Sequence, residues 1–155
     1  MFASFHEEPI FRFREFDEAR GFIEDLQDNK DTYEAIDYMI NHKEYYFLLK
    51  NLKAQLNKSK IGVYIFLNLP CLKREDDLEL IEYMLKHSDE VLKEGIVDYL
   101  KSCKNFNFAR KIFEDGLEDE AIEVLKLIPE GIEYLKEHLK DERLNRILIY
   151  DFTKD

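Results

Sequence analysis

Leu80-Ile81-Glu82-Tyr83-Met84-Leu85 followed by Ser88-Asp89-Glu90-Val91 is the clearest instance of a pattern that recurs between Asp77 and Leu148. The turn signature returns at Glu118-Asp119-Glu120 and at Lys140-Asp141-Glu142, with an apolar residue within two positions each time, at Val91, Ile122 and Leu144. Short amphipathic runs precede the two later turns, Ala109-Arg110-Lys111-Ile112-Phe113 and Gly131-Ile132-Glu133-Tyr134-Leu135. An aspartate at such a turn can accept hydrogen bonds from the free N–H groups that open a helix. A neighbouring glutamate suits the positive end of the helix dipole. The pattern therefore predicts helix, tight acidic turn, helix, repeated.

Working back towards the N-terminus, the same period holds. Asp17 is placed to cap a helix carrying Phe22, Ile23 and Leu26, and Asp31-Thr32 begins a second with Ala35, Ile36, Met39 and Ile40 inward. Asn41-His42-Lys43 reads as a turn, and Glu44 to Leu56 as a third helix. Ile61 to Leu69 is apolar almost all round, which predicts a centrally buried helix ended by Pro70. Asp76-Asp77 open the helix to His87, and Asp89 the one to about Ser102. Asn105 or Asn107 starts a helix ending at Gly116, Asp119 one ending at Ile128, Pro129 lies in a first turn, and Asp141 starts the last. Ten helices in about five pairs are expected. Residues 1–16 differ: Phe11-Arg12-Phe13-Arg14 alternates like an extended arm, with Phe2, Phe5, Ile10 and Phe16 nearby to cover the first helices.

A second regularity supports pairing. Ala35-Ile36, Gly62-Val63, Gly95-Ile96 and Ala121-Ile122 place a small residue before a branched one at spacings of 27, 33 and 26 residues. Small residues let helix axes approach, and stacked repeats need that at recurrent points. The fifth pair, with Arg143-Leu144, departs as a terminal cap would. The helix-turn-helix units joined at Asp89-Glu90, Asp119-Glu120 and Asp141-Glu142 resemble the HEAT-like α-solenoid class over residues 17–152. Asp77 to Leu85 also looks like the outer helix of an ankyrin repeat, without that family's Thr-Pro-Leu-His signature. The expected fold is all-α: an arm at 1–16 and a single-domain α-solenoid over 17–155, wound as a short right-handed superhelix. What the solenoid resemblance implies is a binding scaffold.

Composition narrows function by exclusion. The net charge of −11 disfavours general binding to nucleic acid or anionic membrane and favours basic protein partners. The charge is uneven. Residues 45–74 hold Lys50, Lys53, Lys58, Lys60, Lys73 and Arg74 with no acid, whereas residues 114–142 hold eleven acids against three lysines. Cys71 and Cys103 form no CxxC, so they are expected as buried thiols in a reducing compartment. No basic region with a following apolar run opens the chain, so no signal peptide is expected, and the location expected is cytoplasmic.

No catalytic motif appears: neither GxSxG, P-loop nor GxGxxG is present. His42, His87 and His138 each end an Ile-Asp/Glu-Tyr-Met/Leu-x-x-His run, where a side chain suits the last helical carbonyls. Met39, Met84 and Leu135 stand three residues before them, so the Glu-x-x-His spacing of metal sites is missing. No catalytic residue, metal or cofactor is expected. The expectation is a non-catalytic module that binds a basic protein, of which an inhibitor or immunity-type protein occluding a basic toxin or nuclease is the concrete form. The contact is expected at Glu118, Asp119, Glu123, Glu133, Tyr134, Glu137 and Asp141, with tyrosine supplying a desolvated centre. Lys50, Lys53, Lys58 and Lys60 form a secondary basic patch, and a nucleic-acid-binding solenoid using it is the alternative. An enzyme with an unrecognised site is the remaining one.

Overall fold

The computed structural model describes residues 12–154, with side chains for 12–148. Ten helices are present among them: α1 (Phe16–Asp25), α2 (Lys30–Asn41), α3 (Tyr45–Lys53), α4 (Ser59–Asn68), α5 (Glu75–His87), α6 (Glu90–Cys103), α7 (Phe106–Glu114), α8 (Glu118–Leu125), α9 (Pro129–His138) and α10 (Asp141–Lys154). No strand occurs among the described residues, and no helix there is long and apolar enough to cross a membrane.

Side-chain caps explain four of the ten helix starts, though not always by the expected residue. Asp89 accepts the Leu92 N–H at 2.9 Å, as anticipated, and Asn105 accepts that of Phe108 at 3.1 Å. Elsewhere the acid lies inside the helix instead of before it. Asn29 caps α2 by accepting the Thr32 N–H at 3.0 Å, in place of Asp31. Glu18, within α1, reaches back to the N–H of Glu15 at 2.9 Å, in place of Asp17. Leu117 occupies the capping position of α8, and Asp119 follows inside the first turn, where it still meets the favourable end of the dipole. Pro129 opens α9.

Helices next to each other in sequence pack together, as α1 on α2, α5 on α6 and α7 on α8, and so do helices next but one. α2 meets α4, α4 meets α6 and α6 meets α8; α1 meets α3, α3 meets α5 and α7 meets α9. The α4–α6 seam is the most fully specified of these. Ser59 at the start of α4 donates to Asp89 at the start of α6. Further along, a Cβ on Gly62 would lie 2.7 Å from Leu92 Cδ1, and one on Gly95 would lie 3.1 Å from Val63 Cγ2. Phe66 then meets Tyr99 edge-on at 5.3 Å. The matched order of these contacts shows that α4 and α6 run parallel. Two of the four small residues thus occur at a close helix approach, and Ala35 and Ala121 are fully buried.

Buried apolar side chains from Phe13 to Leu144 form one continuous core. Phe13 of the arm is inside it, against Phe22 at 5.3 Å, while Phe2, Phe5, Ile10 and Phe11 lie outside the described residues. Two expectations are corrected. α4 is not buried all round: Ile61, Ile65 and Phe66 face the core, but Leu67 is 76% exposed. Cys71 and Cys103 are not thiols. They form a disulfide with Cα atoms 5.4 Å apart, and Cys71 is exposed. Neither cysteine is surrounded by framework spacing, so pairing depended on α4 and α6 ending side by side. The ground for reading a reducing compartment is removed with the free thiols.

Candidate interaction surface

The expected acidic contact is divided by the fold. Asp119 and Glu123 of α8 join three acids of α6 around an open groove of about 380 Å³. Glu90, Glu94 and Asp98 line one wall and Asp119, Glu120 and Glu123 the other, with Val97 between them. Lys93 and Lys101 are the basic side chains lining it, so carboxylates exceed amines by four. Lys93 lies 3.9 Å from both Glu90 and Glu120, and Lys101 lies 4.0 Å from Asp98. The Lys93–Glu90 and Lys101–Asp98 pairs, each with an exposed carboxylate, are weak and readily exchanged for other partners, whereas Lys93 and Glu120 are half-buried. The α6 acids were not singled out in the sequence, although Glu90, Glu94 and Asp98 stand at i, i+4 and i+8, the spacing of one helix face.

Several of the expected residues, two of the groove acids included, are paired within the chain. Glu118 and Asp119 both receive Arg143 of α10, each at 2.9 Å. Glu123 pairs with Lys126 at 3.2 Å and Glu133 with Lys136 at 3.3 Å. Glu137 and Asp141 are exposed, the latter at the first position of α10. Tyr134 is half-buried against α7: its ring meets Phe113 edge-on at 5.5 Å, and its hydroxyl donates to Glu114 at 3.3 Å. That packing accounts for Tyr134 without a partner. Burial, with Glu114 adjacent, raises its pKa.

The recurrent histidines have a shared geometry. His42 Nδ1 lies 2.9 Å from the Tyr38 carbonyl, and His138 Nδ1 lies 2.8 Å from that of Tyr134. A carbonyl only accepts, so each ring carries its proton on Nδ1. The same rings stack on the same tyrosines, at 4.0 Å and 3.9 Å between centroids. His87 lies against Tyr83 at 4.3 Å. Each tyrosine thus packs on the histidine one turn later, which closes the end of the helix. Among the described residues no three His, Cys, Asp or Glu side chains are grouped to hold a metal ion.

The basic patch is partly occupied by the protein itself. Lys53 sits 4.4 Å above the Tyr83 ring, and Lys60 bonds Asp28 at 3.3 Å. Asp28 also accepts the Tyr33 hydroxyl, and these two donors lower its pKa, Tyr33 having the larger effect. Lys50 is exposed and Lys58 half-buried. Sequence reading missed one charged cluster built on a buried acid, because nothing local marks it. Glu82 of α5, 7% exposed, binds Lys111 of α7 at 2.7 Å and Lys86 at 3.3 Å, and Lys111 also binds Asp115 at 2.9 Å. The hydrogen bond that Lys111 donates to Glu82, followed by the one it donates to Asp115, raises the Lys111 pKa. Beside this cluster lies a cleft of about 210 Å³ between α5 and α7, floored by Leu78 and Phe108. Its volume is below the usual range for small-molecule sites.

No protein-family model, curated protein or solved structure matches the chain.

Proposed function

We propose that this chain is a non-catalytic helical-repeat protein that binds a basic protein segment in the groove between α6 and α8. The groove's excess of four carboxylates, arranged as two facing helical rows, is the observation that carries the reading. Opposed rows of like charge gain most from a cation placed between them, and the potential they create speeds the encounter. Asp119 and Glu123 keep the role expected of them, and Glu90, Glu94, Asp98 and Glu120 join it. Glu118, Glu133, Glu137 and Asp141 form an acidic periphery. Occlusion of a basic toxin or nuclease by such a surface, as an inhibitor or immunity-type protein does, remains its concrete form.

The scaffold is a HEAT-like α-solenoid of about five helix pairs, wound as a right-handed superhelix. Its support is the register of side-chain bonds between helices two apart. Tyr64 to Asp37, Lys111 to Glu82, Ser59 to Asp89 and Lys60 to Asp28 span 27, 29, 30 and 32 residues, close to the spacing of the small residues. The nucleic-acid alternative has less support, because the chain carries a net charge of −11 and the patch offers four lysines against it.

The test uses a nona-arginine peptide at low ionic strength, with amide chemical shifts as the readout. Shifts are expected to concentrate on α6 and α8. A Glu94→Lys/Asp98→Lys/Glu123→Lys variant should keep its helical circular dichroism and associate at least about tenfold more slowly. Equal on-rates for the two proteins, or shifts spread evenly over the acidic surface, would remove the groove from consideration.

A further inference from the structure

The disulfide lies at the C-terminal end of the α4–α6 seam, in the lining of a groove. Towards the N-terminal ends, the Ser59–Asp89 bond and the Gly62 and Gly95 contacts hold the two helices closely. A groove of about 280 Å³ runs beside the seam from Val63 and Gly95 past Phe66, Leu67, Leu69 and Tyr99, and both cysteines line it. The covalent bond is part of this lining. It joins the last residue of α6 to the loop between α4 and α5.

We propose that Cys71–Cys103 is a thiol–disulfide exchange site for a dithiol reductant, and that its reduction loosens the C-terminal end of the α4–α6 seam without unfolding the chain. Cys71 is exposed and Cys103 half-buried, so the attacking thiolate reaches the sulfur of Cys71. A bond forms from the thiolate to Cys71 Sγ, the disulfide bond breaks, and Cys103 leaves with its electron pair and takes up a proton. The second thiol of the reductant then displaces Cys71, which is protonated in turn. The protein gains two electrons and two protons, and the dithiol becomes a disulfide.

What remains after reduction explains why the change is local. The Tyr99 hydroxyl donates to the Pro70 carbonyl at 2.6 Å and accepts the Leu72 N–H at 2.9 Å. Leu69 and Leu72 on either side are buried. The loop is therefore still held, but by contacts that can open. Asp98 and Lys101, shortly before Cys103, line the acidic groove, and Asp98 lines the cysteine groove as well, so the loosened end includes part of that wall.

The experiment compares the full chain before and after treatment with dithiothreitol in the absence of denaturant. Alkylation should count two thiols per chain after treatment and none before. Hydrogen exchange should then accelerate between about tenfold and a few hundredfold at 69–74 and 98–104, the upper figure being set by the chain entropy the cross-link removes. α1, α2 and α9 should be unchanged. A Cys71→Ser/Cys103→Ser variant should match the reduced protein and ignore the reductant. A bridge that is reduced only in denaturant, or reduction that accelerates exchange in every helix, would overturn the proposal.

Discussion

Asp77 sits in the first turn of α5, 2% exposed, and its Oδ1 has no hydrogen-bond partner. Burial raises its pKa above the ordinary 3.8, Arg74 opposes that rise, and Asp76 adds to it. A carboxyl whose folded pKa is raised binds its proton more tightly in the folded state, so folding gains stability as pH falls through that pKa towards the unfolded value. At neutral pH the ionised group is a cost. Asp77→Asn, which removes the buried charge and keeps the size, should therefore raise stability at pH 7 by about 1 kcal/mol, read from the urea midpoint. The difference should shrink towards pH 4. A variant less stable than wild type at pH 7 would show that the charge is needed beside Arg74. From sequence, Asp77 reads as an ordinary acid of a helix start. Only the position of α5 in the core makes it unusual.

At the scale of elements, the parallel contact of α4 and α6 depends on the absence of side chains at Gly62 and Gly95. Even a methyl group at Gly95 would press within 3.1 Å of Val63 Cγ2, and a leucine has further atoms to place in the same seam. Gly95→Leu should lower stability by about 1–3 kcal/mol through overpacking, read as a shift of the denaturation midpoint. An unchanged midpoint would mean that the seam can part without cost. The small-then-branched pattern made these two residues legible before the structure, because close approach restricts residue size wherever it occurs. The acidic turn pattern was a poorer guide to caps. Asp89 caps, but Asp17, Asp31 and Asp119 lie inside their helices, since an acid is also favourable one or two residues further in.

Taken whole, the molecule carries −11, and the −17 outside residues 45–74 is only partly offset by ion pairs such as Lys60–Asp28. Self-repulsion on this scale should be relieved by salt. Raising sodium chloride from low concentration to about 0.5 M, where the Debye length falls to a few ångströms, should raise the thermal midpoint by about 2–4 °C, the shift expected for roughly 1 kcal/mol in a chain of this size. A fall would show that surface ion pairs such as Arg143 with Glu118 outweigh the repulsion.

The sequence by itself determined the helices, most of their ends and their inner faces, since these follow from periodicity, caps and breakers acting within a few residues. It also determined the charge imbalance. Tertiary structure alone decided that Cys71 meets Cys103, that buried Glu82 meets Lys111, and that Leu67 of an almost wholly apolar helix faces outward. It likewise separated Tyr134, packed on α7, from Asp119 and Glu123, which face α6. These outcomes depend on which helices become neighbours. That is set by the summed fit of many side chains from distant parts of the chain, and no local pattern records it.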